Sequence, residues 1–290
     1  MKVLIIGGTG LLGNNLLELA KGKFEVSATY RNHAIRGPDS YKLEVTDADA
    51  VKKLIDELEP GAVVNTTAFH NVDKCETERD MANAVNVDAA VNISNVCADV
   101  GAHHIYVSTE YVFDGNKGAA YVEDDLPNPL GYYGETKLMA EKAIMGGEGD
   151  NLIARTSVIY GLNETKLNFA TWVISELENG RRIRIIDDQV GSPTLAGNLA
   201  EVLLKCIELR KTGMYHIAGG EAIDRYRFTL ELADVFGFDK SLITPVNTSE
   251  FGQKARRPLF APLDVGRIEE ELEVKMLRAK EGLERMNERR

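Results

Sequence analysis

The chain has 290 residues, 44% hydrophobic and 27% charged, the make-up of a globular protein long enough to bury a large core. Its net charge of −11 excludes a phosphate-neutralising nucleic-acid binder, which needs an excess of lysine and arginine. No apolar run approaches the roughly 20 residues that span a bilayer, and Met1 runs into apolar sequence with no leader pattern, so a cytoplasmic protein without a membrane partner is expected.

Lys2 to Ile6 is a short, β-rich apolar run ended by glycines, the pattern of a strand buried on both faces. Gly7, Gly8, Thr9, Gly10, Leu11, Leu12 and Gly13 follow, and Leu11, Leu12, Leu16, Leu19 and Ala20 recur at helical spacing. A glycine fingerprint that leaves a strand and opens a helix predicts a dinucleotide site. The tight turn brings backbone N–H groups against a pyrophosphate, and the helix N-terminus adds partial positive charge. Residues 24–29 predict a second strand, which runs into Tyr30 and Arg31, with Arg36 nearby. An NAD site usually carries an acid at this strand end, whereas a 2′-phosphate prefers arginine. The next acid after Glu25 is Asp39, so NADP(H) is expected over NAD(H).

Strands are then predicted over residues 41–45, 61–65, 105–108 and 152–156. Helices are predicted over 51–58, over one long stretch from 78 to 100, and over 133–145. This alternation specifies an α/β fold with a doubly wound parallel sheet, whose ligands bind beyond the C-terminal strand ends. Those ends carry the glycine loop, Arg31, Asn65 to Phe69, and Ser108 to Glu110. The rest reads as helices over 167–177, 195–209 and 228–236 with strands over 183–186 and 214–217. Residues 269–290 are heavily charged, with Glu281 and Arg285 at i,i+4, and predict a solvated terminal helix. No linker separates independent domains. Cys75, Cys97 and Cys206 lie far apart, the five histidines have no ligand spacing, and no metal is expected. Cys97 and Cys206 fall in apolar helical patterns and read as inert buried thiols.

Chemistry is expected at Tyr133 and Lys137, which share one helix face a turn apart. Of ten tyrosines, Tyr133 alone has a lysine four residues on, so the spacing is not a general feature of the chain. An ammonium beside a phenol favours phenolate and should lower the tyrosine pKa from about 10. The acidic, proline-containing loop 123–130 ends just before this helix and places it at the crevice mouth. Thr109 points at the same crevice and could hold a substrate carbonyl oxygen.

Together these residues resemble the extended short-chain dehydrogenase/reductase superfamily. Asn65 to Lys74, Ser108 to Gly115, Asp188 to Thr194, and Arg257-Pro258 are similar, more narrowly, to dTDP-4-dehydrorhamnose reductases. The resemblance covers almost the whole chain, and Ser-Thr-x-Tyr-Val-Phe-x-Gly is its most specific part. It implies a dinucleotide-binding domain over 1–156 and an α+β substrate domain over 157–290 with returns to the sheet. It implies Tyr133 as proton donor, Lys137 as its pKa partner and ribose ligand, and Thr109 as the residue that orients the carbonyl. Gly7, Thr9, Gly10, Leu11, Leu12 and Gly13 would sit on the pyrophosphate. Thr66, Thr67 and Ala68 would line the cofactor, Asp47 the adenine, and Glu110 and Val158 the substrate. The implied substrate is a nucleotide sugar, and the implied assembly a homodimer.

The chain departs from the family pattern at Thr66, Thr67, His70 and Glu110, and above all at Val158, where many such reductases carry tryptophan. Trp172, the one tryptophan, reads as core. Two alternatives therefore accompany the reductase. One is a nucleotide-sugar epimerase holding NAD, against which Arg31 speaks. The other is a non-catalytic regulatory subunit like that of methionine adenosyltransferase, with an enzyme as partner.

Overall fold

A computed structural model describes residues 1–34, 39–162 and 167–290. The first half runs β1 (Lys2–Ile6), α1 (Leu11–Ala20), β2 (Glu25–Tyr30), β3 (Ser40–Lys42), α2 (Ala48–Leu58) and β4 (Ala62–Asn65). It continues through the short α3 (Val72–Cys75) and α4 (Arg79–Asn83), a π turn (Ala84–Asp88), α5 (Ala89–Asp99), β5 (His103–Thr109), α6 (Tyr132–Gly146) and β6 (Asn151–Thr156). The second half holds β7 (Ile159–Tyr160), α7 (Phe169–Glu178), β8 (Ile183–Ile186), β9 (Val190–Gly191), β10 (Thr194–Leu195) and α8 (Ala196–Glu208). Then come β11 (Gly213–His216), β12 (Ile223–Asp224), α9 (Arg225–Phe236), β13 (Ile243–Val246), α10 (Thr248–Phe251), α11 (Gly266–Leu272) and α12 (Ala279–Glu288).

Seven strands form one sheet in the order β11-β6-β5-β4-β1-β2-β3. Every pairing in it is parallel. The order reverses between β1 and β4, so the crevice at that switch point is where a dinucleotide fits. β1 and β4 are buried along nearly their whole length, which is why their apolar runs do not alternate. One sheet face is covered by α1, α8 and α11, through Leu16, Leu199, Leu203, Ile207 and Ile268. The other is covered by α2, α5 and α6, through Val51, Ile55, Ile93, Ala140 and Ile144. A second core joins α7, α9 and α12 around Val173, Phe228, Leu232 and Leu283. Trp172 is partly buried against it.

One expectation is refined here and one fails. The helix expected from 78 to 100 forms over 79–99 but contains the π turn, in which Asn86 is buried. The tail after 269 is not a solvated helix. It is two helices whose Leu272, Ala279, Leu283 and Met286 are buried. Arg285 pairs with Glu201 on α8, and Glu281 pairs with Lys275, so the expected Glu281–Arg285 bridge does not form. Cys97 and Cys206 are buried as expected, and burial pushes both thiols up to about 12. No helix among the described residues is long and apolar enough to cross a membrane.

Candidate active site

The glycine loop is held by the second strand. Gly7 N donates to Thr29 Oγ1 at 3.1 Å and Gly8 N to the Thr29 carbonyl at 2.9 Å. A Cβ on Gly13 would collide with the Gly7 carbonyl, so the first turn of α1 can lie against the loop only with glycine there. The N-cap of α1 is Gly10, with no side-chain cap and no acid in the first turn. Its leading N–H groups therefore face the crevice as an anion site. Leu12 has its side chain in the core and can serve a ligand through its backbone alone. These residues fit a pyrophosphate.

Around the loop the structure qualifies the remaining cofactor residues. Thr66 Oγ1 donates to the Ile6 carbonyl at 2.9 Å, stapling β4 to the end of β1. Thr67 Oγ1 donates to Asn65 Oδ1 at 2.6 Å. The two threonine hydroxyls are thus engaged within the protein. The carbonyl of Ala68 lies 3.4 Å from His70 Nδ1. Asp47 caps α2 by accepting from Ala50 N at 3.0 Å. Arg31 is not a free guanidinium at the crevice edge, beyond Tyr30. It pairs with Glu44 at 2.8 Å, an exposed bridge of the kind worth little and easily displaced by a phosphate. Arg36 and Asn163 to Lys166 lie outside the described residues.

α6 carries Tyr133 and Lys137. A Cβ on Gly134 would collide with the Tyr111 carbonyl, so glycine lets this helix press onto the turn after β5. The Tyr132 N–H donates to Glu76 Oε1 at 2.8 Å, fixing the helix start. Tyr133 is buried, edge-on to Tyr111 with centroids 5.7 Å apart. Lys137 is buried one turn on, its Nζ donating to the Val107 carbonyl at 2.7 Å and standing 3.9 Å from the Tyr106 ring centroid. Thr109 Oγ1 bears on the Tyr133 phenol, accepts from Tyr111 N at 3.2 Å and donates to Glu110 Oε2 at 2.8 Å. Glu110 is buried, and its other oxygen accepts from Ser157 Oγ at 3.0 Å.

The charge balance differs from the sequence expectation. Burial, and then the Glu110 carboxylate, push the Tyr133 phenol well above the usual range. Burial lowers Lys137 to about 7, with Glu141 opposing that fall. Burial raises Glu110 against the hydrogen bonds from Thr109 and Ser157. The expectation that Lys137 pulls Tyr133 down is therefore corrected. Spacing shows a cation one turn away, but not the desolvation that outweighs it. A phenol held this way keeps its proton at neutral pH and can give it to a developing alkoxide.

Beyond Thr109 lies a cavity lined by Glu110, Tyr111, Val158, Phe169, Gln189 and Arg225. Val158 has φ 35°, a left-handed conformation costly for a β-branched residue. Its carbonyl accepts from Thr194 N at 3.1 Å, which holds the turn in place. The Arg225 guanidinium stands 5.3 Å from the Phe169 ring centroid, and its charge bears on the Glu110 carboxyl. Gln189 Nε2 donates to Gln253 Oε1 at 2.8 Å and to Thr248 Oγ1 at 3.1 Å. Arg257 donates to Asp73 at 3.0 Å and so ties its loop to α3. The motif segments around 108–115, 188–194 and 257–258, far apart in sequence, thus close around one cavity, and 65–74 is tied to the last of them through Asp73.

Sequence reading missed four residues. Asn86 leaves the π turn, accepts from Phe69 N at 2.7 Å and donates to Thr136 Oγ1 at 3.1 Å, joining the loop after β4 to α6. An asparagine inside an apolar helical stripe was its one signal. Arg225 follows an N-capping aspartate and looks like an ordinary first-turn residue. Ser157 and Glu141 had no signal outside three dimensions.

The sequence model described as the RmlD substrate binding domain matches residues 1–290. The chain belongs to this family. Among RmlD-type relatives, it is 32% identical to a probable low-salt glycan biosynthesis reductase, Agl14, of Haloferax volcanii, over 94% of this chain and 92% of that one. It is equally 32% identical to methionine adenosyltransferase 2 subunit beta of Xenopus tropicalis, over 92% of this chain and 81% of that one. A crystal structure of dTDP-4-dehydrorhamnose reductase from Bacillus anthracis, in complex with NADP, superposes with a TM-score of 0.91 at 28% identity. That match covers 100% of this chain and 99% of the other. By its family and its likeness to dTDP-4-dehydrorhamnose reductases, the chain is an oxidoreductase of the NAD(P)H-dependent reductase type.

Proposed function

We propose that this chain reduces a nucleotide-linked 4-keto-6-deoxy sugar with NADPH, and that dTDP-4-dehydrorhamnose, giving dTDP-L-rhamnose, is the substrate to try first. The carrying observation is the buried Tyr133 phenol, set beside Thr109 and edge-on to Tyr111, which with Glu110 lines the cavity. We read residues 1–156 as the dinucleotide part and 157–290 as the substrate part, with α8 and β11 returned to the former.

When bound, the nicotinamide would supply a hydride equivalent to the carbonyl carbon. Tyr133 gives its proton to the carbonyl oxygen as charge develops there. Lys137 supports the resulting phenolate from one turn away. Thr109 stands beside the phenol, and its hydroxyl proton, accepted by Glu110 at 2.8 Å, would turn to the carbonyl oxygen and orient it for the transfer. Arg225 presents a cation at the cavity for the diphosphate, and Phe169 and Phe228 give it apolar walls. NADPH over NADH is supported by Arg31 at the end of β2 and the lack of an acid there.

The assay is NADPH consumption with dTDP-4-dehydrorhamnose, followed by product analysis. Turnover that depends on Tyr133 supports the reading, and NADPH binding with no turnover of any keto sugar refutes it. The matching likeness to methionine adenosyltransferase 2 subunit beta supports a second reading, a regulatory NADP(H)-binding subunit. Co-purification with an adenosyltransferase, without reductase turnover, would establish that one instead.

A further inference from the structure

Behind the reactive pair, the inner face of α6 continues as a polar strip. Tyr133, Lys137 and Glu141 follow at i, i+4 and i+8 on one helix face, and all three are buried. Glu141 is gripped by Arg155 of β6, with Nε to Oε1 at 3.0 Å and Nη2 to Oε2 at 2.7 Å. Both side chains of that pair are almost completely buried. Arg155 in turn is in register with Ser108 of β5 and His216 of β11. Ser108 Oγ, Arg155 Nη1 and His216 Nε2 are buried with no hydrogen-bond partner among the described residues. A row of buried polar groups crossing three neighbouring strands, β5, β6 and the edge strand β11, is costly.

We propose that Glu141 is a positioning residue for the proton-donor pair: its buried carboxylate keeps the Lys137 ammonium charged behind Tyr133, while Arg155 holds that carboxylate in place. The other groups packed around Lys137 do not supply that charge. Tyr106 offers a ring face, Val107 a carbonyl, and His216 is neutral, lowered to about 3 by burial and then by Arg155. Glu110 bears on Tyr133, Cys75 keeps its proton, and Glu76 is engaged by the Tyr132 N–H. Asp73 is paired with Arg257, and Lys74, Arg79, Asp80 and Asp88 are exposed. Glu141 is the carboxylate that opposes the loss of the Lys137 proton. The role extends the reductase reading but is tested without it.

The test is the titration of the Lys137 ammonium by NMR of protein labelled with 15N-lysine, its resonance assigned by its loss in Lys137→Met. Glu141→Gln is expected to move the midpoint down by about one pH unit or more, the usual effect of removing a close opposite charge. Because an unpaired buried Arg155 could unfold that variant, the double variant Glu141→Gln/Arg155→Met, which removes both charges, is measured beside it. It is expected to fold and to shift the midpoint in the same direction by less. Arg155→Lys, which preserves both charges, should titrate like the parent. A folded double variant with the parental midpoint would overturn the proposal and leave Glu141–Arg155 a mere tie between α6 and β6. The pH above which NADPH affinity declines should move with the midpoint. If sugar turnover is never found while these midpoints shift, the substrate reading fails and this one stands.

Discussion

The two sides of the crevice are built in different ways. On the proposed cofactor side the candidate binding groups are backbone N–H groups, set by Gly7 to Gly13 and by the start of α1, after a strand buried along nearly its whole length. On the proposed substrate side the cavity is lined by side chains delivered by loops, Arg225 from the start of α9, Gln189 beside β9, Val158 before β7, all outside the central sheet. A backbone site tolerates little change in the chain's path but is indifferent to most side chains. A side-chain site can be rewritten residue by residue on a constant frame, and this chain is equally similar to a probable glycan biosynthesis reductase and to an adenosyltransferase subunit.

That contrast can be broken or sharpened by substitution. The largest effect is expected at the junction of the two sides. Tyr133→Phe should lower kcat by about 10²–10⁴-fold, the usual worth of a positioned proton donor, with NADPH affinity retained by fluorescence titration. On the substrate side, Arg225→Ala should raise KM for the nucleotide sugar by roughly 10–100-fold, the worth of a charge-assisted hydrogen bond, with Kd for NADPH unchanged. If both constants change together, the two sides are not separable. On the cofactor side, Arg31→Ala should reduce the preference for NADPH over NADH by about tenfold or less, since a phosphate contact at an exposed site is screened. The smallest effect concerns stability. Val158→Gly should relieve the left-handed valine by about 1 kcal/mol in urea unfolding, before the loss of the half-buried side chain is subtracted.

Lys137 adds a pH signature. The unfolded chain holds this proton to about 10.4, whereas the folded one releases it near 7. Between those values the unfolded state binds more protons, so this residue makes stability rise with pH across that window. Unfolding free energies of Lys137→Met measured from pH 6 to 10 should lack that rise.

The sheet was legible because parallel strands buried on both faces leave continuous apolar runs between helical patterns, and β1, β4, β5 and β6 all fall where those runs lie. The glycine loop and the Tyr133–Lys137 pair were legible because each is local. The π turn was not, since one extra residue leaves the apolar stripe of Val85, Ala89 and Ile93 nearly intact. The C-terminal tail was misread by its charge. Leu272, Leu283 and Met286 are enough to bury one face, and the charged residues find partners such as Glu201 that sequence distance hides. The rise in the Tyr133 pKa and the Arg155–Glu141 pair depend on burial, which no spacing records.

The position of β11 at the edge of the sheet has a bearing on synthesis. A nascent chain released only as far as Thr156 would lack α8 over the face that includes Val3, Ile5 and Leu16, and the partner of the β6 edge as well. At about 5–20 residues per second, several seconds pass before residues 196–216 clear the ribosome. During that interval an unpaired parallel edge and an apolar face stand open to other chains, so the growing polypeptide is a natural client for a holding chaperone.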